Sequence, residues 1–113
     1  MNIMSGNDII AYMDKDPRER RKNKRIPFIA DIIIDGVMKT TSVEISEGGL
    51  YVSTMQPFNE NTEIDVTIPF KGEMSALKAQ VLYSHPGIGI GVKFIDLNDE
   101  QRRKLKELIE LSQ

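Results

Sequence analysis

The residues best suited to bind an anionic ligand form a short basic segment near the N-terminus. The segment from Arg18 to Arg25 holds six of the fifteen lysines and arginines of the chain but only one of its seventeen acidic residues. An arginine presents a planar fork that can hold phosphate oxygens bidentately, pair with the N7/O6 edge of guanine or stack on a purine. Arg21 and Arg25, four residues apart, are therefore the first candidates for ligand contacts.

A second polar stretch combines an acid, a hydroxyl and a glycine, at Glu44, Ser46 and Gly49. On a strand, Glu44 and Ser46 point to the same face because side chains alternate, and Gly49 lies just past them at a turn. The carboxylate can accept from the N1–H and N2–H₂ of guanine, the serine can bind the ligand or orient a neighbour, and the glycine allows close approach. Each feature also has a plainer interpretation, as a solvated basic loop and as a turn after a strand.

The composition excludes several kinds of site. The chain has no cysteine and only one histidine, His85, so thiolate and imidazole metal clusters are excluded. It also has no P-loop, no Cys/His pair and no nucleophile elbow, which predicts a protein that is not an enzyme, and we interpret His85 as a turn residue. No signal-peptide core and no apolar stretch of about 20 residues is present, which predicts a cytoplasmic protein without membrane contact.

Hydrophobic spacing predicts the elements that position these residues. Asn7 to Lys15 has the pattern of a short helix that Pro17 ends. From Ile26 onward the period changes to that of strands, and Asp35-Gly36 is a type I′ hairpin signal. Six strands are predicted, over residues 28–34, 37–46, 50–54, 63–70, 77–84 and 88–94.

Six short strands joined by tight turns favour an all-β fold, an antiparallel β-barrel or small sandwich. The alternation places Tyr83 and Ile88 among the inward-facing residues. A barrel this narrow is filled by its own side chains, so the function is expected on the outer surface. Gly89 and Gly91 are predicted to leave part of that surface bare for a backbone, helix or flat ligand, or else to mark a bend.

The end of the chain has the pattern of a helix with a capping box, in which Asn98 caps the first turn and Gln101 reaches back. The helix carries a narrow apolar stripe of Leu105, Leu108 and Ile109. We expect this stripe to cover one end or edge of the barrel.

Together, the two polar motifs resemble a known family. Arg21-x-x-x-Arg25 followed by Glu44-x-Ser46-x-x-Gly49 resembles the paired signature of PilZ domains, and residues 89–95 with the capped helix resemble the end of that domain. The resemblance implies a six-stranded antiparallel barrel that binds the bacterial second messenger cyclic di-GMP on its outside.

The resemblance also implies a role for each motif residue. Arg21 and Arg25 engage the phosphates and guanines, with Arg20 as an accessory. The opposing wall, which holds a guanine, is formed by Glu44, Ser46 and Gly49. The family usually has Asp or Asn at the acid position, so Glu44 is one methylene longer than expected.

The predicted organisation is an N-terminal helical segment over residues 1–17 and a PilZ-like domain over residues 18–113. The domain contains a basic arm (18–25), the barrel (26–95) and the C-terminal helix (98–112). Like charges repel in the arm, so we expect cyclic di-GMP to order it and thereby to signal to an unidentified protein partner.

Two other functions remain open at this stage. The first is a PilZ-like adaptor that acts through protein contacts without binding the nucleotide. The second is a basic-arm binder of RNA or DNA. The nucleic-acid function is disfavoured because aromatic residues do not interleave with the basic residues, and only Phe28 lies near them.

Overall fold

The structure is a computed structural model and describes residues 24–113. The predicted helix over Asn7 to Lys15, together with Arg20 and Arg21, lies outside these residues. The described elements, in chain order, are β1 (Ile26–Pro27), β2 (Asp31–Ile34), β3 (Met38–Ile45), β4 (Gly49–Ser53), β5 (Glu63–Phe70), β6 (Glu73–His85), β7 (Gly89–Phe94) and α1 (Asp99–Ser112).

The strands form one antiparallel sheet in the order β1-β3-β2-β5-β6-β7-β4, which closes through a further pairing of β3 with β4. The ring therefore contains six strands, and the predicted six-stranded barrel is confirmed. The short strand β1 pairs with one edge of β3 next to β2. Closure pairs the edges that an open sheet would leave exposed.

The prediction of one continuous strand over residues 28–34 is wrong, because the structure has two short strands in this part of the chain, β1 and β2, separated by residues 28–30. The pairing with β3 slips by one residue between β1 and β2, from Ile26 opposite Ile45 to Asp31 opposite Thr41. The fully buried Ser42 hydroxyl fills the gap, where Oγ accepts from the Ala30 amide at 3.0 Å and donates to the Phe28 carbonyl at 2.6 Å. A side chain thus replaces the backbone bonds that the slip removes.

Two hairpins have tight turns, of which the one at Asp35-Gly36 is predicted from the sequence. Asp35 and Gly36 join β2 to β3 with φ values of 52° and 74°, and Lys71 and Gly72 join β5 to β6 with φ values of 50° and 82°. Type I′ turns require positive φ at both central positions, because this twist matches that of the paired strands. These turns set the register of both hairpins.

The barrel interior is filled by aliphatic and aromatic side chains from every strand of the ring, as the alternation predicts. The helix α1 begins with the predicted capping box between Asn98 and Gln101 and buries Leu105, Leu108 and Ile109 against the barrel. Within residues 24–113, no helix combines the length and the apolar character needed to cross a membrane.

The helix is also tied to the barrel by charge. Lys71 Nζ lies 2.5 Å from Glu107 Oε2, and Arg103 lies one helical turn before that glutamate with Nη1 3.6 Å from Oε1. The hydrogen bond from Lys71 holds the pKa of Glu107 below its usual value. The glutamate is therefore ionised at neutral pH, when it pairs with both cations.

The predicted inward positions of Tyr83 and Ile88 are wrong. The register of β6 against β7 shifts between Val81 and Tyr83, so that Leu82 is an extra residue and Tyr83 points out of the barrel. Ile88 lies in the turn after β6 and is 57% exposed. A one-residue bulge reverses which face receives each later side chain.

Candidate functional site

One row of paired residues crosses the outer face of the barrel. Glu44 on β3 is opposite Tyr51 on β4, Tyr51 is opposite Gly91 on β7, and Gly91 is opposite Tyr83 on β6. Paired residues on adjacent strands point to the same face. The neighbour of Glu44, Ile45, is in the core, so this row lies outside.

Arg25 and Glu44 meet at the start of this row. Arg25 precedes the buried Ile26, so its side chain is on the outer side of β1, where Pro27 pairs with Glu44. Arg25 Nη1 lies 3.8 Å from Glu44 Oε1, and the two side chains are only 11% and 8% exposed. The distance is that of an ion pair but exceeds a hydrogen bond. Little solvent screens the two charges, so their attraction is stronger than on an open surface.

The arrangement differs from the sequence hypothesis in one respect. The resemblance implies that Arg25 belongs to a clamp that engages the phosphates and guanines, and that Glu44 belongs to the opposing wall that holds a guanine. At 3.8 Å the two charged groups are adjacent on one wall, and a stacked base does not fit between them. A ligand must therefore lie over the pair or exchange contacts with it.

Ser46 stabilises the turn that leads from β3 into β4. Its buried Oγ accepts hydrogen bonds from the Gly48 amide at 3.2 Å and from the Gly49 amide at 3.1 Å. Its own amide donates to the Gly49 carbonyl at 2.9 Å. The hydroxyl thus holds the backbone immediately after Glu44, which is the plainer of the two roles that the sequence allows.

Gly49 is required by the packing of strands β4 and β7. A Cβ atom at this position would overlap the Val92 carbonyl oxygen and lie 3.3 Å from the Lys93 Cα, both on β7. The φ of Gly49 lies outside the left-handed region, so space and not dihedral freedom demands a glycine here. Within residues 24–113, the role of Gly49 is therefore to let strands β4 and β7 pack closely.

Tyr51, which is opposite Glu44, belongs to a group of three aromatic rings that sequence reasoning did not assign to the site. The ring centroid of Tyr83 is 6.3 Å from that of Tyr51 and 5.1 Å from that of His85, and the planes are tilted by 30° and 32°. The Tyr51 hydroxyl and His85 Nδ1 are 2.9 Å apart. His85 ends β6 and its carbonyl accepts from the Ile88 amide, so it begins the turn and also takes part in this cluster.

The prediction that Gly89 and Gly91 leave a bare surface is wrong. A Cβ at Gly89 would lie 2.7 Å from the Tyr51 ring, and a Cβ at Gly91 would overlap the Tyr83 ring. The tyrosine rings therefore cover both glycines. The sequence signal was present as two glycines in alternate positions, but the bulge that brings Tyr83 over Gly91 is not visible in the alternation.

Burial raises the pKa of the Tyr51 hydroxyl above its ordinary value of 10.0. The hydroxyl therefore keeps its proton at neutral pH. When His85 is neutral with its proton on Nε2, Tyr51 donates to Nδ1. This hydrogen bond fixes the two rings relative to each other.

The closed six-stranded barrel with a polar site on its outer face defines the class of fold, and comparison with known proteins defines the family. The model of the PilZ domain matches residues 19–111. The chain belongs to the PilZ domain family, which is known as a family of cyclic di-GMP receptors. These domains are binding modules rather than enzymes.

Two solved structures illustrate the similarity. The crystal structure of the PilZ domain of CeSA from a cellulose-synthesizing bacterium is 27% identical, with a TM-score of 0.61, over 79% of this chain and 98% of that one. The structure of the Bacillus subtilis inhibitor of motility, MotI/DgrA, is 19% identical, with a TM-score of 0.66, and shares the fold. That match covers 81% of this chain but spans only 50% of MotI/DgrA. No curated protein matches the chain significantly.

Proposed function

We propose that this PilZ domain binds cyclic di-GMP on the outer face of its barrel and passes the binding event to a protein partner. The observation that carries the proposal is the meeting of Arg25 with Glu44, which brings both family motifs to one place. Arg20 and Arg21 extend the same basic segment and supply further donors for the phosphates. Titration with cyclic di-GMP tests the proposal.

Ligand binding exchanges the partners of the Arg25–Glu44 pair. A phosphate of the ligand takes the guanidinium fork of Arg25. The carboxylate of Glu44 then accepts from the N1–H and N2–H₂ of a guanine. After this exchange both buried charges still face a complementary group, so neither carries the cost of an uncompensated charge. Ser46 and Gly49 contribute by fixing the turn that follows Glu44.

We expect Glu44→Asp to tighten cyclic di-GMP binding by about 1 kcal/mol. The shorter side chain withdraws the carboxylate from Arg25, which frees the guanidinium for a phosphate and leaves more room for the base. The charge is unchanged, so long-range electrostatics stays nearly constant. Calorimetric titration of the two proteins measures the difference.

Two variants control this comparison. Glu44→Ala removes the acceptor and should weaken binding. Glu47→Asp makes the same one-methylene change at an exposed position three residues away and should leave affinity unaltered. Weaker binding by Glu44→Asp than by the wild type would mean that the glutamate is itself well fitted.

We further propose that the ligand orders the basic arm and repositions the segment that precedes it. Neutralising the arginines removes the repulsion among like charges between Arg18 and Arg25. Amide hydrogen exchange should slow across residues 8–28 on addition of cyclic di-GMP, and the inner barrel strand β5 serves as the reference. Unchanged exchange in the arm at saturating ligand would refute this signalling step.

One observation favours a second candidate, a PilZ-like adaptor that works without the nucleotide. Arg25 and Glu44 face each other at ion-pair distance, and both side chains are nearly buried. A pair that is satisfied internally needs no nucleotide to balance its charges. Failure of the wild-type protein to bind cyclic di-GMP would support this adaptor, which would then act through protein contacts alone.

A further inference from the structure

The outer face carries a group of rings that the motif residues do not include. We call Tyr51, Tyr83 and His85 the aromatic shelf. Neighbouring centroids within it are 5.1–6.3 Å apart, which is within the usual range for packed aromatic pairs. The bond between the Tyr51 hydroxyl and His85 Nδ1 holds two of the rings in fixed positions.

The shelf lies against the sheet because the two β7 positions beneath it, Gly89 and Gly91, have no side chains. Tyr51 covers Gly89 and Tyr83 covers Gly91, at positions where a Cβ would collide with the rings. Tyr51 is 9% exposed, whereas Tyr83 and His85 are half-buried. Solvent therefore reaches part of the Tyr83 and His85 rings, which lie over the backbone of the sheet.

The shelf and Glu44 belong to the same surface. Tyr51 is directly opposite Glu44, and Tyr83 is two strands further along the row. Neighbouring strands are about 4.8 Å apart, so Glu44 and Tyr83 are separated by roughly 14 Å measured along the sheet. A cyclic dinucleotide carries two purines on opposite sides of its sugar–phosphate ring, so a base bound at Glu44 leaves the other one to be placed.

We propose that the aromatic shelf is the stacking subsite for the second purine of the ligand, an inference that rests on the proposed function. The base lies over the exposed parts of Tyr83 and His85, with its plane against the rings. Stacking on an aromatic platform recognises the planar face of a base and not its hydrogen-bonding edge. Glu44 thus selects guanine at one end of the ligand, while the shelf contributes affinity at the other.

Binding of cyclic di-GMP to the full chain and to Tyr83→Leu and Tyr83→Phe tests the proposal. Leucine keeps an apolar side chain over Gly91 but removes the aromatic face, so we expect about tenfold weaker binding. Phenylalanine keeps the ring and should bind within about twofold of the wild type. Met74→Ala, an exposed change at the far end of the same strand, is the matched control and should have no effect.

Tyrosine fluorescence is a second measurement, and ligand binding should not change the emission of Tyr83 if this residue has only a structural role. The chain has three tyrosines and no tryptophan, so a base that stacks on Tyr83 should quench a measurable part of the emission. In Tyr83→Phe most of this quenching should be lost although affinity is kept. This second readout remains decisive if Tyr83→Leu fails to fold.

The outcomes separate the shelf from the function on which it rests. Weaker binding by Tyr83→Leu, with quenching that depends on Tyr83, supports the subsite. Equal affinity of the wild type and Tyr83→Leu, or unchanged quenching in Tyr83→Phe, overturns the shelf and leaves cyclic di-GMP binding intact. Absence of binding by the wild type overturns the proposed function, and the subsite falls with it.

Discussion

Replacing either arginine of the motif, as Arg21→Ala or Arg25→Ala, should weaken cyclic di-GMP binding by about 10- to 150-fold. This loss corresponds to about 1.5–3 kcal/mol, the range for a hydrogen bond to a charged group. Alanine cannot make the two hydrogen bonds with which the guanidinium holds a phosphate. It also leaves the negative charge of that phosphate without a positive partner. Calorimetric titration of each variant measures the change.

The controls isolate the geometry of the arginine from its charge. Lys24→Ala removes one positive charge from an exposed position beside Arg25 and should cost much less affinity. Arg25→Lys keeps the charge beside Glu44 but loses the fork, so its affinity should fall between those of the wild type and Arg25→Ala.

Arg25→Ala needs one further measurement because it strips a nearly buried carboxylate of its ion-pair partner. The free energy of unfolding without ligand must therefore be determined for Arg25→Ala and for the double variant with Glu44→Ala. A rescue of stability in the double variant would show how much of the loss belongs to the pair. Wild-type affinity in Arg21→Ala would contradict the assignment of that arginine to the ligand.

Gly49→Ala should lower the free energy of unfolding by roughly 2–3 kcal/mol in the absence of any ligand. The added methyl group would meet the Val92 carbonyl, which belongs to the backbone of β7 and cannot turn aside as a side chain does. Strands β4 and β7 must separate locally to admit it. Chemical denaturation monitored by circular dichroism measures the effect.

The matched control for this prediction is Gly87→Ala. Gly87 has a φ of 75° and no atom within 4 Å of a Cβ, so alanine there meets only the dihedral cost, about 1 kcal/mol. If Gly49→Ala proves as stable as the wild type, the close approach of the strands is not what demands the glycine. If the prediction holds, weaker ligand binding by Gly49 variants cannot be interpreted as a lost ligand contact.

Local sequence signals predicted most of the fold because they act within a few residues. The Asp35-Gly36 turn, the alternation along β5 and the capping box at Asn98 each depend only on neighbouring residues. These signals were enough to predict the six strands of the barrel and the C-terminal helix.

The sequence did not predict the places where the strand register shifts, of which two bear on the site. In the segment between β1 and β2, the Ser42 hydroxyl of β3 replaces backbone hydrogen bonds by contacting Phe28 and Ala30, which are more than ten positions away in the chain. The extra residue in β6 turns Tyr83 outward, where its ring covers Gly91. Both features depend on non-local pairing, which alternation along one strand does not encode.

The candidate site was predicted in part. The order of the two motifs on adjacent elements was enough to expect Arg25 near Glu44, and the structure places them at ion-pair distance. The direct contact between them, and the roles of Ser46 and Gly49 in the turn and in strand packing, follow from the register of β3, β4 and β7. The aromatic shelf follows from the same register.

The most direct test of the account is a calorimetric titration of the unmodified protein with cyclic di-GMP, alongside GTP and GMP. Two arginines of the motif and the Glu44 carboxylate together match a ligand with two phosphates and a guanine edge. We predict saturable binding of cyclic di-GMP that is clearly tighter than binding of either mononucleotide. No binding of cyclic di-GMP, or equal binding of all three nucleotides, would contradict the proposed receptor function.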